Sequence, residues 1–219
     1  LNTEEMKQLA QEMRTVLIKK LSIHGGHFGP NLGMAEAIIA LHYVFNSPVD
    51  KFVFDVSHQS YCHKILTGRK DAFIFEDKYD DVSGYANPDE SEHDFFNIGH
   101  TSTSVSLASG LAKARDLNGG KENVIAVIGD GSMTGGMAFE ALNNAGVYDS
   151  NLLVILNDNN MAIDPNVGGL NEYLLDISTS KTYNKIKGDV WNVLGKLNRI
   201  SPGMRNFIQN IDNSIKSML

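Results

Sequence analysis

The sequence has little of several things that would define other classes of protein. Its single cysteine, Cys62, rules out an internal disulfide and fits a reducing compartment. No apolar run approaches the roughly 20 residues of a membrane-spanning helix, and no signal peptide is recognisable, although the chain begins at Leu1. Basic residues are few: 19 lysines and arginines against 26 acids give a net charge of −7 over 219 residues. We therefore expect a cytoplasmic protein that does not act mainly on nucleic acid or a membrane.

The chain does contain an alternation of helical and extended patterns. Apolar residues at helical spacing predict an amphipathic helix from about Thr3 to Leu21. A second helix is predicted from Leu32 to about Phe45, with Asn31 as its cap. Three apolar runs without alternation predict strands buried on both faces, namely Phe52–Val56, Val124–Ile128 and Leu152–Leu156.

Helical stretches separate these strands. One is predicted in "SYCHKIL" and another in "STSVSLASGLAKARDL", with a loop rich in acids, glycine and proline from Asp71 to about Ile98. This order predicts an α/β fold with a mainly parallel sheet and helices on both faces. We assign residues 1–170 to this α/β domain and 171–219 to a helical extension.

Polar clusters follow all three predicted strands: "DVSHQSYCH", "GDGSMTGG" and "NDNNM". Parallel sheets bind ligands at the carboxyl ends of their strands. The site is therefore expected where these three clusters meet.

The second cluster has an acid, Asp130, between two glycines, where it would repel a bare phosphate. It is not a dinucleotide fingerprint, because Thr134 stands at the third glycine position, and it lacks the lysine of a P-loop. A divalent cation reverses the local field, and magnesium takes carboxylate and phosphate oxygens together. We predict that Asp130 binds magnesium carrying a diphosphate, that the amides of Gly131 and Ser132 face the phosphates, and that Asn157–Asn160 supply further oxygen ligands.

Other polar residues are given structural interpretations. His58, Cys62 and His63 could indicate zinc, but four ligands at zinc spacing are not present. Lys64, Arg69 and Lys70 could form a phosphate clamp, although a solvated basic face is favoured. Cys62 has no base predicted beside it that would make it a nucleophile.

Long motifs then carry a resemblance to one family. "GGHFGPNLGMAEAIIALHYVFNSPVDKFVFDVSHQSYCHKILTGRKD", "GHTSTSVS", "GDGSMTGGMAFEALNNAG" and "LNDNNMAIDPNVGGL" resemble the 1-deoxy-D-xylulose-5-phosphate synthase family of transketolase-like enzymes, and the resemblance covers nearly the whole chain. Three positions depart from the family pattern: Ser57 replaces glycine, Thr101 replaces serine and Cys62 replaces proline.

The resemblance implies particular site residues. Asp130 and Asn159 would bind magnesium through their side chains, and Met161 through its backbone carbonyl. His27, in "GGHFG", matches a histidine that handles protons at the reacting centre. Cofactor contacts are implied at seven positions: His58, Gly99, His100, Thr101, Gly131, Ser132 and Asn159.

It also implies thiamine diphosphate and Mg²⁺ as cofactors, and a homodimer. The implied reaction joins pyruvate and glyceraldehyde 3-phosphate, with loss of carbon dioxide, to give 1-deoxy-D-xylulose 5-phosphate for isoprenoid and thiamine biosynthesis. No stretch resembles the family's pyrimidine-binding and C-terminal domains, so residues 1–219 alone are expected to be inactive. The alternatives are the N-terminal subunit of a split transketolase, a non-catalytic diphosphate-binding module and, more distantly, a nicotinamide-dependent oxidoreductase.

Overall fold

The computed structural model of the chain describes residues 1–158. The first part contains α1 (Thr3–His24), α2 (Gly29–Gly33), α3 (Ala35–Val44) and β1 (Lys51–Phe54). Next come α4 (Tyr61–Lys64), a π-helical turn (Ile65–Arg69), α5 (Asp71–Ile74) and a 3₁₀ helix (Glu76–Asp81). The last part contains α6 (Ser104–Leu117), β2 (Val124–Gly129), α7 (Asp130–Met133), α8 (Gly136–Ala145) and β3 (Leu152–Asn157).

Some predictions fall on residues beyond 158. Asn159, Met161, the boundary at residue 170 and the extension 171–219 lie outside the described residues. Among the helices of the described part, none is both long and apolar enough to cross a membrane.

The three described strands form one parallel sheet in the order β1-β2-β3. Val124 in the central strand pairs with Lys51 on one side and with Leu152 on the other. All three predicted strands are present, with ends displaced by one or two residues. β1 and β2 are largely buried as predicted, whereas β3 is only partly buried by the described residues, with Leu153 42% exposed.

Side chains alternate between the two faces of this sheet. Those on one face pack into a core with α1 and α3: Phe52, Phe54, Ile125 and Val127. Those on the other pack with α6 and α8: Val53, Val124, Ala126 and Ile128. Both faces are therefore covered by helices, which confirms the predicted α/β fold and explains why the strands are apolar without alternation.

The first helix follows directly from its sequence. Asn2 and Glu5 form a capping box, in which each side chain accepts a hydrogen bond from the other residue's backbone N–H, at 2.9 and 2.7 Å. The helix ends one turn later than predicted, at His24, where Gly25 has a φ of +85° that favours glycine.

Two local predictions are wrong. Asn31 caps no helix, because α2 and α3 divide at Met34 and the Asn31 side chain is instead fully buried. The stretch from Asp71 to Ile98 is not a plain loop, since it begins with α5 and the 3₁₀ helix.

Of the three basic residues after the first strand, Lys70 is exposed as predicted, but Lys64 and Arg69 do not form a solvated face. Lys64 is fully buried, with its ammonium 2.6 Å from Glu90, and Arg69 binds both carboxylate oxygens of Asp94 at 2.6 and 3.1 Å. His63 Nε2 lies 3.2 Å from the same Asp94 carboxylate. We call these five residues the ion network; it holds segment 83–94 against α4 and the π-helical turn.

Candidate functional site

Two acids lie side by side at the carboxyl ends of the central and outer strands. Gly129 pairs with Asn157 in the sheet, and Asp130 and Asp158 directly follow these two residues. Burial, and then the neighbouring charge of Asp158, raise the pKa of Asp130. Adjacent carboxylates disfavour each other's ionisation, and a divalent cation between them removes that repulsion. This donor set suits magnesium, which prefers carboxylate oxygens.

The structure places Asp130 at a strand end and brings beside it Asp158, one of the residues 157–160 that were predicted to supply further oxygen ligands. Within residues 1–158, no three His, Cys, Asp or Glu side chains come together as a metal site. The other predicted ligands, Asn159 and Met161, follow the last described residue.

The turn that carries Gly99, His100 and Thr101 is fastened to the start of α7. Ser102 Oγ donates a 2.6 Å hydrogen bond to the carbonyl oxygen of Ser132. A Cβ at Gly135 would lie only 2.0 Å from Ser102 Oγ, so only glycine allows this approach. The structure thus brings the predicted cofactor-binding turn next to the predicted diphosphate-binding segment.

Asp55, which directly follows β1, also anchors this turn. It is 1% exposed, and its two carboxylate oxygens accept the backbone N–H groups of Ser102 and Ser104 at 2.8 and 2.9 Å. Ser104 begins α6, so this carboxylate also stabilises the N-terminus of that helix. Asp55 is the first residue of the predicted polar cluster "DVSHQSYCH", but no role was predicted for it individually.

The backbone after Asp55 is strained. Val56 and Ser57 have φ values of +56° and +67°, a region that side-chain-bearing residues rarely adopt. Glycine, which the resemblance implied at the position of Ser57, would adopt this conformation without strain. The serine hydroxyl compensates, because it donates to Ile98 O and accepts from Ala86 N, both at 2.9 Å.

His27 lies in an aromatic pocket together with His58, Tyr61, Gly84 and Tyr85, which we call the His27 pocket. The centroid of the His27 ring is 5.4 Å from that of His58 and 5.1 Å from that of Tyr85. Its Nδ1 lies 3.2 Å from the Tyr61 hydroxyl. The structure therefore joins two predicted site residues that are distant in sequence, His27 and His58.

Both histidines are biased towards their neutral forms. Burial lowers the pKa of His27, partly opposed by a hydrogen bond to the backbone of Gly84. Burial, and then the proximity of His27, lower the pKa of His58. In the described part of the chain, His58 Nδ1 is buried without a hydrogen-bond partner, so this nitrogen is available to a ligand. A neutral imidazole at His27 is suited to proton transfer near neutral pH.

Cys62 follows Tyr61 in the sequence but is not suited to a catalytic role. Its side chain is fully buried, and burial raises the pKa of the thiol to about 12. A thiol that stays protonated is a poor nucleophile, so its position in α4 indicates packing rather than catalysis.

The fold and the site together define a class of protein. It is an α/β domain with a parallel sheet, and near its strand ends lie paired acids, a turn anchored through Ser102 and two neighbouring histidines. A family model described as 1-deoxy-D-xylulose-5-phosphate synthase matches residues 1–219. The chain belongs to the 1-deoxy-D-xylulose-5-phosphate synthase family.

Curated relatives agree with this membership. The chain is 49% identical over 219 residues to a 1-deoxy-D-xylulose-5-phosphate synthase of Cytophaga hutchinsonii, with 100% of the chain and 34% of the relative covered. It is 51% identical to that of Porphyromonas gingivalis, with 100% and 34% covered, and 52% identical to that of Alkaliphilus oremlandii, with 99% and 35% covered. The chain therefore spans about a third of the length of these relatives.

Proposed function

We propose that this chain supplies the diphosphate- and magnesium-binding part of an enzyme that makes 1-deoxy-D-xylulose 5-phosphate from pyruvate and glyceraldehyde 3-phosphate, with loss of carbon dioxide. The observation that carries the proposal is the pairing of Asp130 with Asp158 at the sheet edge, beside the fastened turn at Ser102. Family membership supports the same function.

The strand-end acids would hold the metal. Asp130 would bind Mg²⁺ through its carboxylate, with Asn159 and the Met161 carbonyl as the further protein ligands. Backbone N–H groups of Gly131 and Ser132 would donate to the diphosphate. His58 would contact the cofactor, together with Gly99, His100 and Thr101 in the turn held by Ser102.

Thiamine diphosphate, when bound, supplies the electron sink that decarboxylation and carbon–carbon bond formation require. His27 would accept and return a proton at the carbonyl oxygen of the substrate, a role that its lowered pKa favours. The aromatic walls at Tyr61 and Tyr85 would reduce the access of water to that proton.

The rest of the reaction would need parts that this chain does not resemble. We propose that pyrimidine-binding and C-terminal domains complete the site in a homodimer, and that residues 1–219 alone are inactive. The share of the relatives that the chain covers supports this proposal. The family match favours the synthase over a split transketolase, a non-catalytic module or a nicotinamide-dependent enzyme.

The test is an Asp130→Asn substitution in the protein expressed from its complete gene. Binding of thiamine diphosphate, measured by titration calorimetry with and without Mg²⁺, should weaken at least about 100-fold in the presence of the metal. Loss of a residue that merely supports a ligand already costs about 10- to 100-fold in metal affinity. The wild-type protein should also release carbon dioxide from pyruvate when glyceraldehyde 3-phosphate is added.

Asp77→Asn is the matched control, because Asp77 is an exposed acid of the 3₁₀ helix. It removes the same charge and should leave cofactor affinity within about twofold, as expected for a surface substitution. Unchanged affinity in Asp130→Asn would contradict the proposed metal site, and wild-type protein that binds the cofactor but leaves pyruvate intact would contradict the proposed reaction.

A further inference from the structure

His27 lies on a segment that regular backbone structure does not hold. It sits between α1 and α2, after Gly25 and Gly26, whose φ values are +85° and +130°. A histidine that transfers protons needs a fixed ring, because a small displacement of a catalytic group greatly lowers the rate. The ring must therefore be fixed by contacts from other elements.

One hydroxyl contacts both the backbone and the ring of this histidine. The Tyr61 oxygen lies 3.3 Å from the backbone nitrogen of His27 and 3.2 Å from its Nδ1. A backbone N–H can only donate, so the Tyr61 oxygen accepts that hydrogen bond. The hydroxyl proton is then available to Nδ1, which places the proton of the neutral imidazole on Nε2.

No other side chain of the described residues hydrogen-bonds to this ring. His58 and Tyr85 pack against it through ring contacts, and Gly84 contributes only its backbone. Other histidines of the chain have acidic partners: His24 with Asp80, at 2.7 Å, is one such pair. The ring of His27 is contacted instead by the Tyr61 hydroxyl and the Gly84 backbone. The orientation of the ring therefore depends on an uncharged hydrogen-bond donor, the Tyr61 hydroxyl.

Tyr61 is itself held by a buried amide. Asn31 is fully buried, and its Oδ1 accepts the backbone N–H of Tyr61 at 2.9 Å. Its Nδ2 donates to the backbone carbonyls of His27 and His58, each at 2.8 Å. One side chain therefore joins the segment that carries His27 to the segment that carries both His58 and Tyr61.

We propose that Tyr61 is the positioning residue for His27, that its hydroxyl sets the orientation and tautomer of the imidazole, and that Asn31 fixes Tyr61 and both histidine backbones in register. The catalytic consequence rests on the proposed function. The hydrogen bond itself does not, and it can be tested separately.

The principal variant is Tyr61→Phe in the protein expressed from its complete gene. The rate of carbethoxylation of His27 by diethyl pyrocarbonate, followed by mass spectrometry across pH 5–8, reports the pKa of His27 without cofactor. Without the hydroxyl donor to Nδ1, the neutral form loses one hydrogen bond, so this pKa should rise by about 0.5 to 1. Turnover of pyruvate should fall about 10- to 100-fold, while the Kd for thiamine diphosphate stays within about threefold.

Tyr79→Phe is the matched control. Tyr79 is 3% exposed and Tyr61 is 4% exposed, and the Tyr79 hydroxyl has no hydrogen-bond partner among the described residues. Removing it deletes the same atom from a buried tyrosine outside the His27 pocket. We expect wild-type values for the His27 profile, turnover and cofactor affinity.

A second variant keeps the proposal testable if Tyr61→Phe does not fold. Asn31→Asp preserves the shape of the side chain but removes the N–H donor to both histidine carbonyls. Turnover should therefore fall with little change in cofactor affinity, and an unchanged turnover would overturn the role of Asn31.

A His27 profile in Tyr61→Phe that matches that of Tyr79→Phe would overturn the role of Tyr61. If wild-type protein does not consume pyruvate, the proposed function fails, while the carbethoxylation profile still decides whether Tyr61 sets the state of His27.

Discussion

The His27 pocket and the ion network both include residues of the short helix α4, yet the histidines in these two regions have different kinds of partner. In the ion network, His63 contacts the Asp94 carboxylate, and both side chains are 1% exposed. In the His27 pocket, His27 and His58 are only partly buried, and the hydrogen bonds between Tyr61 and His27 are long, at 3.2 and 3.3 Å. His63 therefore has a buried carboxylate partner, whereas His27 is contacted by uncharged rings and a hydroxyl.

The two regions are also connected. Lys64 donates to the carbonyl of Ser83 at 3.0 Å, and Glu90 accepts the backbone N–H of the same residue at 2.7 Å. The next residue, Gly84, contacts His27. The ion network therefore fixes Gly84, which forms one wall of the His27 pocket. Substitutions in the ion network should mainly lower the free energy of unfolding.

The largest effect is expected from Asp94→Asn. Burial would raise the pKa of Asp94, but hydrogen bonds from His63, Arg69 and the backbone hold it well below its usual range. Removing this charge leaves Arg69 with only the longer contact to Glu90, at 3.3 Å, and His63 without a carboxylate, which should lower the free energy of unfolding by about 3 kcal/mol, the low end of the range for breaking a buried ion pair. Urea-induced unfolding at pH 7 measures this loss.

The pH dependence of this effect is a further test. A carboxyl whose pKa is lowered by folding stabilises the protein above its unfolded pKa of about 3.9, and this contribution is lost as the pH falls below that value. The difference between wild type and Asp94→Asn should therefore shrink below about pH 4. Asp77→Asn, which changes an exposed acid, should remain within about 0.5 kcal/mol of wild type throughout.

An intermediate effect is expected at His42, whose Nε2 lies 2.9 Å from His63 Nδ1. Burial, and then the charges of His63 and His93, lower the pKa of His42 from 6.5 to about 4. The folded state thus favours neutral His42. The contribution of this histidine to stability is therefore complete above about pH 6.5. As the pH falls from about 6.5 to 4, the free energy of unfolding should decrease by up to about 3 kcal/mol.

His42→Gln tests this cause, because glutamine does not titrate in this range. The variant should have a flatter profile of unfolding free energy between pH 6.5 and 4 than the wild type. If both profiles have the same slope, other groups cause the loss, and the contrast between the two regions would not depend on this histidine.

The smallest effect is expected beside the pocket, at Ser57. Ser57→Ala removes two hydrogen bonds but keeps the strained backbone, and should lower the free energy of unfolding by about 2–3 kcal/mol. Ser57→Gly removes the same hydrogen bonds but relieves a left-handed conformation, which is worth about 1–2 kcal/mol in a residue with a side chain. The glycine variant should therefore be the more stable of the two in urea-induced unfolding, and the reverse order would show that Ser57 is not strained.

The fold could be predicted from sequence because its signals are local. The apolar runs at Phe52–Val56, Val124–Ile128 and Leu152–Leu156 predict buried strands, and helical spacing predicts α1. An acid between glycines at a strand end made Asp130 a metal-ligand candidate, since strand ends meet at one edge of any parallel sheet. These inferences need only residue type, spacing and the rules of sheet topology.

The same reasoning fails for Asn31 and Lys64. A polar residue before a helical pattern predicts a cap, but Asn31 is buried and bound to residues whose proximity depends on how α1, α2 and α4 pack. Positive charges in a row predict a solvated face, but Lys64 is buried because Glu90, far along the chain, folds back over it. The burial of a polar side chain depends on whether distant partners compensate for its lost hydration, and spacing along the chain carries no information about them.

The sequence by itself thus determined the sheet, its order of elements and the acid at the strand end. Only the tertiary structure decided that Asp55 holds the turn at Ser102 and that Tyr61 contacts His27. The physical reason is the range of the interactions. Periodic burial along one element is encoded in neighbouring residues, whereas hydrogen bonds and charge pairs between loops exist only after packing has brought those loops together.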